Sequence, residues 1–240
     1  MKQFWFDGVG SASMGMAISG SGVYNAPERD VTLISIPGRN GDLIQDNGRF
    51  KNITVSYPVS ICSDFAAHAA AIRAWLLSGT GYKRLEDDYD PDHYRLALCA
   101  GGVAFTPGQL NRTGETVINF NCKPQRFLKA GEFPVAVAHQ GALWNPTCFP
   151  AQPMITIYGT GPGVLGIGAY AVSITDLAES LVLDCQSLDA YRVEADGSWS
   201  NQNRCVVLDP DFPVLEPGEN QITFDGGIAA VEIVPRWWTL

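Results

Sequence analysis

The sequence predicts a mainly β protein, with an N-terminal β-sheet domain that carries one α-helix and a C-terminal β-sandwich. Three observations point there. Short apolar runs with strand character recur along all 240 residues, and 25 Gly and 15 Pro are scattered between them. Only one segment has clear helical periodicity. A chain of this length can also bury two cores of ordinary size.

Taken in order, residues 31–36 (VTLISI) are β-branched and apolar and read as a strand, which residues 37–41 (PGRNG) stop as a turn. Asn47-Gly48 reads as a second turn, and residues 53–57 (ITVSY) alternate in the strand period. The helix is expected over 65–77, where Phe65, Ala69, Ile72 and Leu76 recur at steps of four, three and four, with Trp75 widening the stripe. Ser63 or Asp64 is placed to cap its start and residues 79–81 (GTG) to end it. Residues 83–85 and 94–98 flank an acidic turn and read as a hairpin. Residues 115–122 alternate again, and Lys123-Pro124 is expected to end that strand.

Five prolines between Pro124 and Pro153 mark a boundary, giving expected domains 1–130 and 131–240. Beyond it, strands are expected at 154–158, 164–174, 180–184, 204–208, 220–224 and 229–234, with turns that include 159–163, 216–219 and 225–227. Six short strands separated by such turns argue for a sandwich.

Composition narrows the function classes. The net charge is −9 with only 16 Lys and Arg, and no basic cluster occurs, so tight binding to a phosphate backbone is not expected. No stretch nears the roughly 20 apolar residues of a membrane span; the best, 164–174, is interrupted by Gly and Ser. The opening does not read as a secretory signal, because Asp7 follows the apolar trio Phe4-Trp5-Phe6. Cys62, Cys99, Cys122, Cys148, Cys185 and Cys205 are widely spaced without a C-x-x-C pair and are expected as free thiols of a reducing compartment.

Chemistry-bearing patterns are weak. Residues 159–163 (GTGPG) follow a strand, but strand rather than helix comes next, so no phosphate-cradling helix start is expected and the segment reads as a hairpin turn. Residues 88–92 (DYDPD) resemble the opening of a calcium loop, yet His93 stands where Gly is needed and Cys99 where the final Glu should be. Three dispersed histidines and the absence of a G-x-S-x-G elbow leave no catalytic residue, metal site or cofactor to nominate. Trp199, in the polar segment 196–201, carries the alternative of a carbohydrate-binding sandwich, since an exposed indole can stack on a sugar ring. Trp237 and Trp238 read as anchors of the last strand.

Read together, several segments resemble the distal tail proteins of long, flexible-tailed bacteriophages. They are residues 4–8 (FWFDG), 36–41 (IPGRNG), 47–53 (NGRFKNI), 72–76 (IRAWL), 85–95 (LEDDYDPDHYR) and 120–124 (FNCKP) in the first half. In the second half they are Asn145-Pro146, 153–159 (PMITIYG), Leu183-Asp184, 212–220 (FPVLEPGEN) and 234–238 (VPRWW). The resemblance implies a first domain that forms a hexameric ring, alone or as stacked rings, and a galectin-like second domain that docks other baseplate proteins. It further implies a virion tail tip assembled in the bacterial cytoplasm. The implied partners are the major tail protein, the tail hub protein and receptor-binding or baseplate proteins, with DNA passing through the lumen unbound and no membrane contact. Ring contacts are expected at Pro37, Gly38, Arg39, Ile53, Val55, Tyr57, Val117 and Phe120, and a sugar or partner contact at Trp199.

Overall fold

The computed structural model describes residues 2–20, 22, 24–108 and 110–240. The chain falls into two compact units that divide after Arg126, with Leu240 belonging to the first.

The first unit contains β1 (Phe4–Phe6), β2 (Val9–Gly10), β3 (Met16–Ile18), β4 (Arg29–Ile34), β5 (Leu43–Phe50), β6 (Ile53–Ile61), α1 (Phe65–Leu77), β7 (Lys83–Asp87), β8 (His93–Leu98), β9 (Thr106–Gly108) and β10 (Thr113–Leu128). Its main sheet has the order β2-β1-β7-β8-β10-β6-β3, with β9 on β10. β6 and β10 pair antiparallel from Ile61↔Gly114 to Ile53↔Cys122. Alternation along β6 turns Ile53, Val55, Tyr57, Val59 and Ile61 inward, where with Ile118, Phe120 and Cys122 they meet α1 and β1. Phe4 sits at the middle of this core, its ring centroid 4.7 Å from Tyr57 and 5.6 Å from Phe120.

Helix α1 occupies the expected span and buries Ala69, Ile72 and Leu76, with Phe65 and Trp75 packed at the margin. Burying each large side chain contributes roughly 1.5–3 kcal/mol, which is what holds so short a helix. Trp75 also donates its indole N–H to the Phe6 carbonyl at 3.1 Å. The cap differs from expectation. Asp64 stands at the N-cap in the left-handed region (φ 45°), makes no side-chain cap, and offers its carbonyl to the amides of Ala67 and His68. Ser78, rather than the following glycines, closes the helix.

Two other punctuation marks prove to lie inside strands. Asn47-Gly48 is within β5, where Gly48 (φ 70°) makes a local irregularity opposite β4. Pro124 lies within β10, beyond the Cys122↔Ile53 pair that ends the ladder with β6, so its missing N–H costs that ladder nothing.

The second unit contains β11 (Val135–Val137), β12 (Gly141–Asn145), β13 (Met154–Ile167), β14 (Tyr170–Asp184), β15 (Asp189–Val193), β16 (Trp199–Asn201), β17 (Val206–Asp209), β18 (Gly218–Val234) and β19 (Trp238–Thr239). One sheet runs β11-β18-β13-β14-β15-β16, with β12 added to β18 and β17 to β14. Five of the six expected short strands merge into three long ones, β13, β14 and β18, while the strand expected at 204–208 stands as the short β17. Ile155 and Ile157 from one half of β13 share a single buried core with Leu165 and Ile167 from its other half, so the sheet closes on itself as a sandwich.

Glycine makes that closure possible. A Cβ on Gly159 (φ 155°) would lie 2.0 Å from the Gly227 carbonyl oxygen, and one on Gly227 would lie 2.1 Å from that of Thr160. The register of β13 against β18 shifts at the same place. Residues 159–163 and 225–227, expected as turns, are therefore bulged bends inside crossing strands, which only glycine permits at this backbone separation. Likewise residues 164–174 are not one strand: Gly168 (φ 55°) and Ala169 turn the chain from β13 into β14.

Buried asparagines organise the loops. Asn145 donates to the carbonyls of Phe149 (3.0 Å) and Leu215 (2.9 Å), and Asn220 bonds both backbone groups of Glu216. Asp184 receives a bidentate ion pair from Arg236 at 2.6 and 3.0 Å.

Candidate assembly surface

β4 and β5 form a two-stranded hairpin that pairs with no other described strand. Arg29, Leu33 and Ile34 run up one strand, and Leu43, Ile44 and Phe50 lie on the other, with Leu33 opposite Ile44 and Ile34 opposite Leu43. The root is ionic. Arg49 meets Asp30 at 2.7 Å, Arg29 meets Asp46 at 3.0 Å and Lys51 meets Glu28 at 3.4 Å. Hydrogen bonds from Arg49 hold the Asp30 carboxyl below its ordinary range, and the Gly48 amide with Arg29 does the same for Asp46.

The outer half is apolar instead. Leu33 is 60% exposed and Ile44 is 66% exposed, while Ile34, Ile36 and Leu43 are also open to solvent. Because Leu33/Ile44 occupy one face and Ile34/Leu43 the other, the hairpin is apolar on both sides. Pro37, Gly38 and Arg39 form its tip, where Gly38 and Gly41 have φ near 80° and the Arg39 amide closes on the Ile36 carbonyl. An isolated two-stranded hairpin is marginal in water, and exposed apolar side chains on both faces add to its need for a partner.

The remaining expected contact residues separate by strand parity. Ile53, Val55, Tyr57 and Phe120 are buried in the core of their own unit and have no side chain to offer a neighbour. Val117 is 49% exposed on the opposite face of the same sheet. That face is rich in hydroxyl and amide groups: Ser56 bonds Asn119 at 2.7 Å, and Asn52 bonds both Asn121 and Tyr82 at 2.6 Å. Alternation separates these two sets of residues in the sequence; which set is covered depends on α1 and Phe4.

In the second unit Trp199 is 72% exposed and stacks on Tyr191, with centroids 4.8 Å apart at 14°. The pair sits on the edge hairpin β15–β16, where Trp199 faces Val193 across the ladder. Trp237 is buried, as an anchor should be, and Trp238 stacks on Phe149 while donating to the Pro150 carbonyl. Among the described residues no group of three His, Cys, Asp or Glu side chains is placed to hold a metal ion. The residues 88–92 form a turn in which Asp87 and Asp90 bond neighbouring amides and side chains.

These features define a chain of two β units, one with a single helix and a protruding apolar arm, the other a closed sandwich. That architecture matches known structures along its whole length. The structure of the SPP1 Dit (gp 19.1) protein, described as a paradigm of the hub adsorption apparatus in phages infecting Gram-positive bacteria, aligns over 100% of both chains with a TM-score of 0.79 at 10% identity. A chain of the phage p2 baseplate in its activated conformation aligns over 97% of both chains with a TM-score of 0.53 at 9% identity. No family model matches the sequence, and no curated protein matches it significantly. The chain thus has the fold of a phage distal tail protein.

Proposed function

We propose that this chain is a structural distal tail protein of a bacteriophage, which assembles through its first unit into a hexameric ring at the virion tail tip. The observation that carries the reading is the β4–β5 arm, which exposes apolar side chains on both faces and has no partner among the described strands of its own chain. A cyclic head-to-tail contact gives such an arm a site on the next copy, and six repeats close the ring. The full-length likeness to SPP1 Dit supports the place in the particle.

In this reading the ring joins the major tail protein to the tail hub, and the sandwich unit anchors receptor-binding or other baseplate proteins. Assembly takes place in the bacterial cytoplasm. The acidic balance of −9 favours passage of DNA through the lumen without adhesion. The protein acts through its interfaces and not as an enzyme.

Light scattering and negative-stain imaging of the purified chain test this. Six-fold rings, single or stacked, with a central hole are expected; a monomer that also fails to form rings when mixed with the cognate tail protein overturns the reading. A second reading rests on Trp199. Its open indole face suits a sugar ring, and saccharide binding that disappears in Trp199→Ala would favour a carbohydrate-binding role for the sandwich.

A further inference from the structure

Beneath the acidic turn of the first unit lies a small cavity of about 30 Å³, lined by Tyr57, Asp87, Asp90, His93, Arg95 and Arg126 among others. Most polar atoms around it are satisfied. Tyr57 donates to Asp87 Oδ2 at 2.5 Å, and Asp87 Oδ1 accepts the amides of Tyr89 and Asp90. Asp90 takes His93 Nδ1 at 2.7 Å on one oxygen and Arg126 Nη1 at 2.9 Å on the other, while Arg126 Nη2 donates to the Leu240 carbonyl at 2.9 Å.

Two donors stand apart. Arg95 is only 9% exposed, and its Nη1 is buried without a protein acceptor; Arg126 Nε is buried in the same condition. A guanidinium can only donate, so neither group can satisfy the other. An unsatisfied buried charged donor costs more than a neutral one, and native interiors seldom leave two beside one cavity.

The volume suits one or two water-sized occupants, at roughly 10–15 Å³ each. Charge decides between a neutral occupant and an anion. Arg95 and Arg126 balance Asp87 and Asp90, and Glu86 is paired with Arg84, so the lining carries no net positive charge to offset a halide. A water accepts from both guanidinium groups and donates its own hydrogens to spare lone pairs on Asp87 or Asp90, which gives it three or four partners.

We infer that this cavity is a structural hydration site, in which one or two ordered waters bridge Arg95 Nη1 and Arg126 Nε to the carboxylates of the acidic turn. The site adds a solvent link to the side-chain bonds that already run from Tyr57 on β6 through Asp87 and the β7–β8 turn to Arg126 on β10. It also gives the buried Arg95 Nη1 the acceptor that no protein atom supplies.

The test is a crystal structure of the full chain grown in sodium bromide, at a resolution that shows ordered solvent. Density about 2.7–3.2 Å from both Arg95 Nη1 and Arg126 Nε, without a bromine anomalous peak, is the expected result. An anomalous peak there would make the site a halide site and overturn the neutral reading. Absence of any density would overturn the site itself. The Arg95→Met structure supplies the second measurement: the solvent feature should vanish or shift, and an unchanged feature would show that Arg95 does not hold it.

Discussion

Replacing Gly227 by alanine should cost far more than the same change at a glycine of the second unit that faces open space. The added Cβ would fall 2.1 Å from the Thr160 oxygen, 2.8 Å from the Thr160 carbonyl carbon and 3.0 Å from the Gly161 carbonyl carbon, all of them backbone atoms that cannot rotate away. Relief requires β13 and β18 to separate by roughly 1 Å at the bend, to reach ordinary contact distances. Overpacking of this kind costs about 1–3 kcal/mol, and weakening two flanking ladder hydrogen bonds adds about 0.5–1.5 kcal/mol each. The sum is about 2–6 kcal/mol. The matched control is Gly197→Ala, in the same unit, where φ is 81° but nothing lies within 4 Å of the new methyl; only the backbone term of about 1–2 kcal/mol applies there. Denaturant unfolding of the full chain, followed by a probe in the second unit, measures both. Equal costs for the two variants would refute the claim that close strand approach, and not left-handed backbone alone, demands glycine at the bend.

Three further outcomes follow from other parts of the molecule. Leu33→Ala combined with Ile44→Ala should leave the unfolding midpoint nearly unchanged, because both side chains are mostly exposed. If the arm docks on a second copy, the pair forfeits about 2–4 kcal/mol per contact, a roughly 30- to 1,000-fold weaker subunit association; analytical ultracentrifugation over a dilution series reads this. Thiol labelling at neutral pH should modify the exposed Cys62 and Cys148 first, whereas Cys122 and Cys185, pushed up to about 12 by burial, should react only on unfolding. Peptide mapping after timed alkylation gives the order. Burial alone would raise the Asp184 carboxyl, but the Arg236 hydrogen bonds and the amides of Gln186 and Ser187 outweigh it and hold it below the usual value. Its contribution is therefore present above an unfolded pKa near 3.9 and lost as pH falls through the lower folded value. Asp184→Asn should be less stable than wild type near pH 7 and should lose that difference as the pH falls towards 2 in pH-dependent melting curves.

Patterns that depend on local packing were legible in the sequence. The stripe Phe65, Ala69, Ile72 and Leu76 defined α1 to the residue, and the segment 37–41 was correctly a tip between two strands. What misled was glycine and proline. Gly159, Gly161 and Gly163 were read as a turn because a turn and a tight strand crossing demand the same residue type; only the partner strand, Gly226 and Gly227 some 60 residues on, distinguishes them. Pro124 was read as a terminator because the sequence does not reveal that the ladder to β6 has already ended. For the candidate surface, the alternation of β6 was visible but its polarity was not. Ile53, Val55 and Tyr57 are inward because α1 and Phe4 cover that side, a long-range fact that a short motif does not encode. The isolation of the β4–β5 arm was equally hidden, since strand composition says nothing about who pairs with whom.

The through-running strands of the second unit have a mechanical meaning. In a sandwich of two separate sheets, the layers meet only through side-chain packing and can shear along that plane. Here β13, β14 and β18 each contribute to both halves of the core, so covalent backbone crosses what would otherwise be the slip plane three times. A load applied to one half is passed to the other along peptide bonds, and yielding requires the glycine bends to open together. Such a unit resists as a single stiff element, with no weak seam between its layers.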